Sequence, residues 1–164
     1  MTAPADMTKN RDARKNWAVG WDELHRHSRT LARRLLELGP WRGIAAVTRG
    51  GLVPAAIVAG ELDIRLVDTI CVASYEAREQ GAVRILKGLE GDGDGLLVID
   101  DLVDSGRTAR AVRALLPWAH YAVLYAKPAG KPLADSFVLE VAQDVWIDFP
   151  WDQAPRSASS LPEA

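Results

Sequence analysis

The segment that most constrains the fold of this chain is LLVIDDLVDSGRT, at residues 96–108. Aliphatic residues lead into two adjacent carboxylates, and two more aliphatic residues precede an Asp-Ser-Gly-Arg-Thr loop. Such an apolar run is typical of a strand buried on both faces of a parallel sheet. The carboxylates then fall at the carboxyl end of the strand, where open α/β sheets bind ligands. The loop opens a helix whose free backbone amides can hold an anion. The segment therefore predicts an anion site beside a pair of acids.

Alternating strand and helix patterns along the rest of the chain predict an α/β fold, a parallel sheet flanked by helices. Strands are predicted over residues 43–47, 65–75, 96–103 and 121–126, helices over 21–38, 53–62 and 107–116, and a long mobile loop over 76–94. Leu24, Leu31, Leu35 and Leu38 form the apolar stripe of the first helix. Two extended pieces after Pro132 predict a small, appended β-rich part.

Length and composition favour one domain with a flexible extension over residues 1–16, a folded domain over 17–152 and a disordered tail over 153–164. The net charge of −2 does not favour a nucleic-acid partner. The chain shows no secretion signal and no apolar run of membrane-spanning length. The single cysteine, Cys71, excludes an intrachain disulfide and is expected to be a buried small hydrophobe. We therefore expect a cytoplasmic protein without an integral membrane segment.

The residues around the anion site narrow its chemistry. The loop has no lysine for a nucleoside triphosphate, and Asp100, Asp101 and Asp104 would repel a bare polyphosphate. Carboxylates suit sugar hydroxyls and Mg²⁺, which is held by oxygen ligands and substrate phosphates. A phosphate, a ribose diol and a magnesium-bound leaving group together describe phosphoribosyl pyrophosphate. The whole segment resembles the phosphoribosyl-pyrophosphate motif of type I phosphoribosyltransferases.

Three further positions are candidates for binding. The turn at residues 48–51, TRGG, lets backbone amides approach an anion and adds the charge of Arg49, although it also fits an ordinary tight turn. Lys127, at the end of a strand, offers donors to the oxygen of a 6-oxopurine, although it also fits a solvated lysine. Trp146 alternates with the apolar face of its strand, which suits stacking on a heterocycle or covering a subunit interface.

Taken together, residues 17–152 resemble the bacterial xanthine-guanine phosphoribosyltransferases, with TRGGLVPAAIVAGELDIRLVDTICVASY, EGDG, LLVIDDLVDSGRTA, YAKPAGKPLAD and QDVWIDFPWD in the same order. The resemblance implies a purine salvage enzyme that transfers a phosphoribosyl group to N9 of guanine, xanthine or hypoxanthine. The products would be GMP, XMP or IMP and pyrophosphate. It also implies Mg²⁺ and a homotetramer. Peripheral association with the inner membrane is a trait of the family in some bacteria, but no amphipathic anchor is visible in this sequence.

The resemblance also implies a role for each site residue. Asp100 and Asp101 would contact the ribose hydroxyls and Mg²⁺, with Asp101 the better metal candidate, and Asp104 would be the catalytic base at purine N7. Arg49 and Gly50 would hold pyrophosphate. Lys127 would read the 6-oxo group, Trp146 would stack on the purine, and Ile147 would contact its 2-position. The substrate-binding segment comprises Asp100, Asp101, Leu102, Val103, Asp104, Ser105, Gly106, Arg107 and Thr108, of which the last four cradle the 5′-phosphate.

The chain departs from the family pattern in three places. Arg107 replaces a glycine of the phosphate loop, and the C-terminal tail is unlike that of the relatives. Gly88 replaces a basic residue, for which Lys87 or Arg84 could substitute. Arg78, Arg84 and Lys87 belong to the predicted loop at residues 76–94. This loop would close over the reaction and supply positive charge to pyrophosphate, or it is an ordinary solvated loop. In the resembled family the turn around Arg49 often contains a cis peptide after the arginine.

Two alternative functions stay open. One is a purine phosphoribosyltransferase that prefers hypoxanthine, which the residues reading the base would distinguish. The other is a regulator that senses phosphoribosyl pyrophosphate without catalysis. Asp104, Lys127 and Trp146 favour the enzyme, because a sensor does not need a purine site, and no basic nucleic-acid surface is evident.

Overall fold

A computed structural model describes residues 15–75 and 82–152. The chain divides into two units, of which the smaller contains described residues 15–21 and 144–152 and the larger contains residues 22–143. The helices are α1 (Trp21–Leu36), α2 (Leu52–Glu61) and α3 (Arg107–Leu115). The strands are β1 (Lys15–Ala18), β2 (Gly43–Thr48), β3 (Val67–Tyr75), β4 (Ala82–Lys87), β5 (Leu96–Val103), β6 (His120–Ala126), β7 (Ser136–Glu140) and β8 (Val145–Asp148).

The larger unit is built on a six-stranded sheet with the order β4-β3-β2-β5-β6-β7. All neighbouring strands are parallel except β3 and β4. The chain runs outward from β2 to β3 and β4 and then returns to place β5 on the other side of β2. The order of strands therefore reverses between β2 and β5, and such a switch point is where open α/β sheets bind ligands. The predicted α/β fold with a parallel sheet is confirmed.

Apolar strands form the middle of this sheet because helices cover both of its faces. Leu97, Val98 and Ile99 of β5 are almost completely buried, and every residue from Tyr121 to Ala126 of β6 is buried. Helix α1 turns Leu24, Leu31 and Leu35 inward, as its pattern predicts. Leu38 was predicted on the same stripe, but this was wrong. The helix ends at Leu36, and Leu38 is 54% exposed in the turn that follows.

The segment over residues 76–94 is not the continuous loop that the sequence predicted. Residues 76–81 lie outside the described part of the chain, but β4 follows them and pairs antiparallel with β3. A second difference concerns the extended pieces after Pro132. Strand β7 joins the main sheet beside β6 rather than belonging to an appended part. Cys71, predicted to be buried, is half-buried on β3.

The smaller unit contains a two-stranded parallel sheet made of β1 and β8. Strand β1 begins at Lys15, within the segment predicted as a flexible extension. Ile147 of β8 and Phe149 are buried, whereas Trp146 is 45% exposed, as expected from period-two alternation. The rings of Phe149 and Trp151 stack with their centroids 4.9 Å apart.

Within residues 15–75 and 82–152, no helix is long and apolar enough to cross a membrane. The predicted tail at residues 153–164 and the first 14 residues lie outside the described part of the chain.

Candidate active site

Two loops meet at the switch point of the sheet. The TRGG turn follows β2 and the DSGRT loop follows β5, and these two strands are direct neighbours. Their junction is tight: a Cβ atom added to Gly50 would lie 2.2 Å from Oδ2 of Asp101. Only a glycine lets the backbone approach this carboxylate so closely. The structure therefore brings Gly50, predicted to hold pyrophosphate, against Asp101, predicted to contact the ribose hydroxyls and Mg²⁺.

The TRGG turn is shaped by its contacts with the ends of both strands. A Cβ atom on Gly51 would lie 2.2 Å from the carbonyl oxygen of Ile99 and 2.7 Å from that of Val47. The peptide bond between Thr48 and Arg49 is cis, so the unusual bond precedes the arginine instead of following it. Arg49 itself is exposed at the carboxyl edge of the sheet.

The DSGRT loop encloses a cavity of about 110 Å³ in front of helix α3. Gly106 is the N-cap of this helix and adopts a φ of 80°, which is a left-handed conformation that favours glycine. No side chain caps the helix, so its first backbone amides are available to an anion. Arg107, the departure from the family pattern, is exposed. The cavity is lined by Leu102, Val103, Asp104, Ser105, Gly106, Arg107, Thr108, Ala109 and Tyr121.

The two adjacent acids of β5 have different surroundings because successive side chains of a strand point to opposite faces. Asp101 is half-buried beside the TRGG turn. Asp100 is buried and accepts hydrogen bonds from the Tyr121 hydroxyl at 2.9 Å and from the Asp101 amide at 3.0 Å. Burial and the charge of Asp101 raise the pKa of Asp100 well above its ordinary value. Asp100 is therefore held by β6, and its contact with ribose stays a prediction.

Asp104 and Lys127 form an ion pair at the ends of β5 and β6. Nζ of Lys127 donates to Oδ2 of Asp104 at 3.0 Å, and the backbone amide of Lys127 donates to the carbonyl of Val103 at 2.9 Å. The lysine side chain is only 5% exposed, whereas that of Asp104 is 47% exposed. A buried ammonium group is thus fixed beside an accessible carboxylate, and the carboxylate lines the cavity in front of α3.

A third residue of this cluster, Gln143, was not predicted from the sequence. Its Nε2 donates to Oδ1 of Asp104 at 2.6 Å, and its Oε1 accepts the backbone amide of Ala129 at 3.0 Å. It is the first residue of the motif QDVWIDFPWD, but the motif does not indicate this contact, because an uncharged side chain following a strand has no distinctive pattern. The pairing of β7 with β6 brings the segment that carries Gln143 back to Asp104.

Two residues predicted to contact the purine belong to the smaller unit. Trp146 was predicted to stack on the face of the purine, and Ile147 to contact its 2-position. The Trp146 indole donates from Nε1 to Oδ1 of Asp148 at 2.9 Å, and Ile147 is 4% exposed. Their contacts with a purine stay predictions.

Among the basic residues predicted to bind pyrophosphate, Lys87 does not point towards the two loops. Arg78 lies outside the described residues, and Arg84 is exposed on β4. Lys87 forms an ion pair with Asp68 and donates to the carbonyl of Thr69 at 2.8 Å. This lysine hydrogen bond lowers the pKa of Asp68. Because Asp68 and Thr69 lie near the start of β3, Lys87 extends away from the carboxyl edge of the sheet.

Gly88 also lies away from the loops. A Cβ atom added there would be 3.0 Å from Leu115, the last residue of α3. Its distance from the N-terminus of this helix is then roughly 12 Å along the axis, at 1.5 Å per residue. The backbone at position 88 thus lies near the far end of α3, away from the cavity at its N-terminus.

Known proteins resemble this chain over most of its length. A sequence profile of the phosphoribosyl transferase domain matches residues 20–157. The xanthine-guanine phosphoribosyltransferase of Desulfotalea psychrophila is 56% identical over 90% of this chain and 93% of its own length. The protein of the same name from Nitratidesulfovibrio vulgaris strain DP4 is 59% identical over 85% of this chain and 86% of its own.

Solved structures show the same fold. A purine phosphoribosyltransferase from Pyrococcus horikoshii superposes with a TM-score of 0.72 at 29% identity, covering 87% of this chain and 97% of that one. A xanthine-guanine-hypoxanthine phosphoribosyltransferase from Helicobacter pylori gives 0.71 at 27% identity, covering 84% and 94%.

Proposed function

The chain belongs to the phosphoribosyl transferase domain family, and on that premise we propose that it transfers a phosphoribosyl group from phosphoribosyl pyrophosphate to N9 of guanine, xanthine or hypoxanthine. One observation carries this proposal: the Asp104–Lys127 pair lies directly beside the cavity at the N-terminus of α3. The cavity fits a phosphate, and the pair offers a carboxylate and an ammonium group to a 6-oxopurine. Relatives at 56% and 59% identity carry the name of this activity.

The part of the site that binds phosphoribosyl pyrophosphate, here called the donor half, would use the two loops at the switch point. Residues 105–108 would hold the 5′-phosphate through the free amides of α3. Arg49 and the backbone at Gly50 would hold the pyrophosphate group, to which Arg49 adds a positive charge. Asp100 and Asp101 would bind the ribose hydroxyls, with Asp101 better exposed for this contact.

Asp101 would also hold Mg²⁺. The described residues contain no cluster of three or more acidic, histidine or cysteine side chains that could form a metal site. That agrees with Mg²⁺, which usually binds one or two carboxylates and completes its coordination with water and substrate phosphates. The Asp101 carboxylate fits this role because it touches the turn at Gly50. When bound, Mg²⁺ would neutralise the charge of the departing pyrophosphate.

The part of the site that binds the purine, here called the acceptor half, would recognise the base by hydrogen bonds. Lys127 can only donate, so it pairs with a 6-oxo group and rejects a 6-amino group. Asp104 would accept the N7 proton of the base as N9 bonds to the anomeric carbon and pyrophosphate leaves. Trp146 would stack on the ring, and Ile147 would contact its 2-position through its backbone. Positive charge develops at the anomeric carbon during the reaction, so positioning and nearby carboxylates would supply most of the rate enhancement.

Two finer properties complete the proposal. We expect a homotetramer, as the family resemblance implies, and we expect the enzyme to act in the cytoplasm. Size-exclusion chromatography with light scattering measures the first. Cell fractionation measures the second, with recovery in the membrane fraction as the contrary result.

The test of the function is product formation. Purified protein is incubated with Mg²⁺, phosphoribosyl pyrophosphate and guanine, xanthine, hypoxanthine or adenine in turn, and nucleotides are identified by mass spectrometry. We expect GMP, XMP or IMP and no AMP. A hypoxanthine-preferring enzyme would yield mainly IMP. If no base yields a nucleotide while phosphoribosyl pyrophosphate still binds, the protein is a sensor and the proposal is wrong.

A further inference from the structure

Gln143 joins two groups with opposite hydrogen-bonding needs. The backbone amide of Ala129 can only donate, and the charged carboxylate of Asp104 can only accept. The side chain of Gln143 meets both, with Oε1 towards Ala129 at 3.0 Å and Nε2 towards Asp104 at 2.6 Å. These partners determine the orientation of the amide. Among the uncharged side chains of this length, only glutamine has both an acceptor and a donor at its end.

The contact with Gln143 fixes the plane of the Asp104 carboxylate. The last torsion of an aspartate is broad, and Asp104 is 47% exposed, so its carboxylate would otherwise rotate. Lys127 holds Oδ2 and Gln143 holds Oδ1, which leaves the second lone pair of each oxygen free for a substrate. The backbone of Asp104 is packed as tightly, since a Cβ atom added to Gly130 would lie 2.6 Å from its carbonyl oxygen.

We propose that Gln143 is a positioning residue for the transfer reaction, which orients the Asp104 carboxylate towards N7 of the bound purine. This role rests on the proposed function. Gln143 would act through Asp104, on the acceptor half of the site. Its loss should therefore slow the chemical step and leave the binding of phosphoribosyl pyrophosphate unchanged.

A double-mutant cycle tests this dependence. We expect Gln143→Ala to lower kcat about 10- to 100-fold, the range expected for a misplaced catalytic group, with the KM for phosphoribosyl pyrophosphate unchanged. In the Asp104→Ala background, the same substitution should have no further effect on kcat. Glu140→Gln is the control, because Glu140 ends β7, just before Gln143, and forms an exposed ion pair with Lys131, so the variant should keep native activity.

Gln143→Glu provides a second readout that a merely structural role would not change. The introduced carboxylate can still accept the Ala129 amide but faces Asp104 with a like charge, and two adjacent carboxylates take up a shared proton as the pH falls. The proton then restores a donor towards Oδ1. The kcat of this variant relative to the native protein should therefore rise as the pH is lowered from about 8.5 to 6.

The outcomes separate the two hypotheses. Native protein that makes no nucleotide from any purine would overturn the proposed function and this role with it. Active native protein combined with normal kcat in Gln143→Ala would overturn the positioning role alone. Additive effects of the Gln143→Ala and Asp104→Ala substitutions on kcat would also overturn the positioning role. The same holds if the kcat of a folded Gln143→Glu variant, relative to the native protein, does not change with pH.

Discussion

Gly50 and Asp101 form the closest contact between the two loops at the switch point. A Cβ atom at position 50 would overlap the carboxylate, which would face both the ribose and the pyrophosphate in the proposed site. Single atoms therefore determine whether the donor half of the site can form. The acceptor half depends in the same way on the atoms of Asp104, Lys127 and Gln143.

Gly50→Ala should displace Asp101 and lower kcat/KM for phosphoribosyl pyrophosphate by about 10- to 100-fold, because small displacements of positioned groups are costly. Gly60→Ala is the matched control. Gly60 lies in α2 with nothing within 4 Å of an added Cβ atom, so alanine fits there and favours the helix. Steady-state kinetics of both variants measure the effect. Equal activity of the two would contradict the assigned role of the Gly50–Asp101 contact.

Asp104→Ala should lower kcat by about 10²- to 10⁴-fold, the usual contribution of a general base. Binding of phosphoribosyl pyrophosphate should change much less, because the proposed site holds its phosphate through backbone amides of the loop. Single-turnover kinetics and titration calorimetry measure the two effects separately. Comparable losses in turnover and in binding would exclude Asp104 as the base.

Neighbouring elements of the larger unit are connected by a few buried polar contacts. Tyr121 of β6 donates to Asp100 of β5, and His27 of α1 is hydrogen-bonded at 2.8 Å to the hydroxyl of Tyr125 on β6. Both tyrosines are buried, and burial raises the pKa of each phenol. These contacts join β5 and α1 to β6, the strand that leads to Lys127.

Tyr121→Phe should reduce the free energy of unfolding by about 1–3 kcal/mol, because it leaves the buried Asp100 carboxyl without one of its donors. Chemical denaturation measures this loss. In the Asp100→Ala background the same substitution should cost little, since the hydroxyl no longer has its partner. A full loss in that background would mean that the hydroxyl stabilises the protein by another contact.

The elements that the sequence predicted correctly are those with strong local patterns. Strand β5 has the predicted bounds because aliphatic residues stand at both of its ends, on either side of the two acids. Strand β4 was missed because its short alternation lies within a polar, glycine-rich segment and depends on pairing with β3. Strand β1 was missed because its four residues form a strand only by pairing with β8. The ion pair of Lys87 with Asp68 and the hydrogen bond of Gln143 to Asp104 likewise depend on tertiary structure, so sequence motifs could not predict them.

In the whole molecule, the site of the larger unit follows one edge of three neighbouring strands. The donor loops end β2 and β5, and the Asp104–Lys127 pair ends β5 and β6. The proposed phosphate and purine halves of the site would therefore lie side by side along this edge. The stability of the fold also depends on residues outside these loops, and His27 of α1 is expected to make it depend on pH.

Burial lowers the pKa of His27 below its ordinary value of 6.5. The unfolded chain therefore binds a proton at this residue more readily than the folded one, and stability falls as the pH drops below 6.5. The decrease due to this residue should be less than about 1.4 kcal/mol per pH unit. His27→Gln should flatten the decrease, which denaturation at pH 7, 6 and 5 measures. Parallel pH profiles of native protein and variant would contradict this assignment.

The central claim is that Lys127 selects 6-oxopurines at a phosphoribosyl-transfer site. Its most direct test is the ratio of kcat/KM for guanine to that for adenine, in the native protein, in Lys127→Met and in the exposed control Lys131→Met. We expect a ratio of at least about 10³ in the native protein and the control, because a buried donor facing a 6-amino group is left unpaired. The ratio should decrease at least about 10-fold in Lys127→Met. An unchanged ratio in that variant, or efficient use of adenine by the native protein, would contradict the claim.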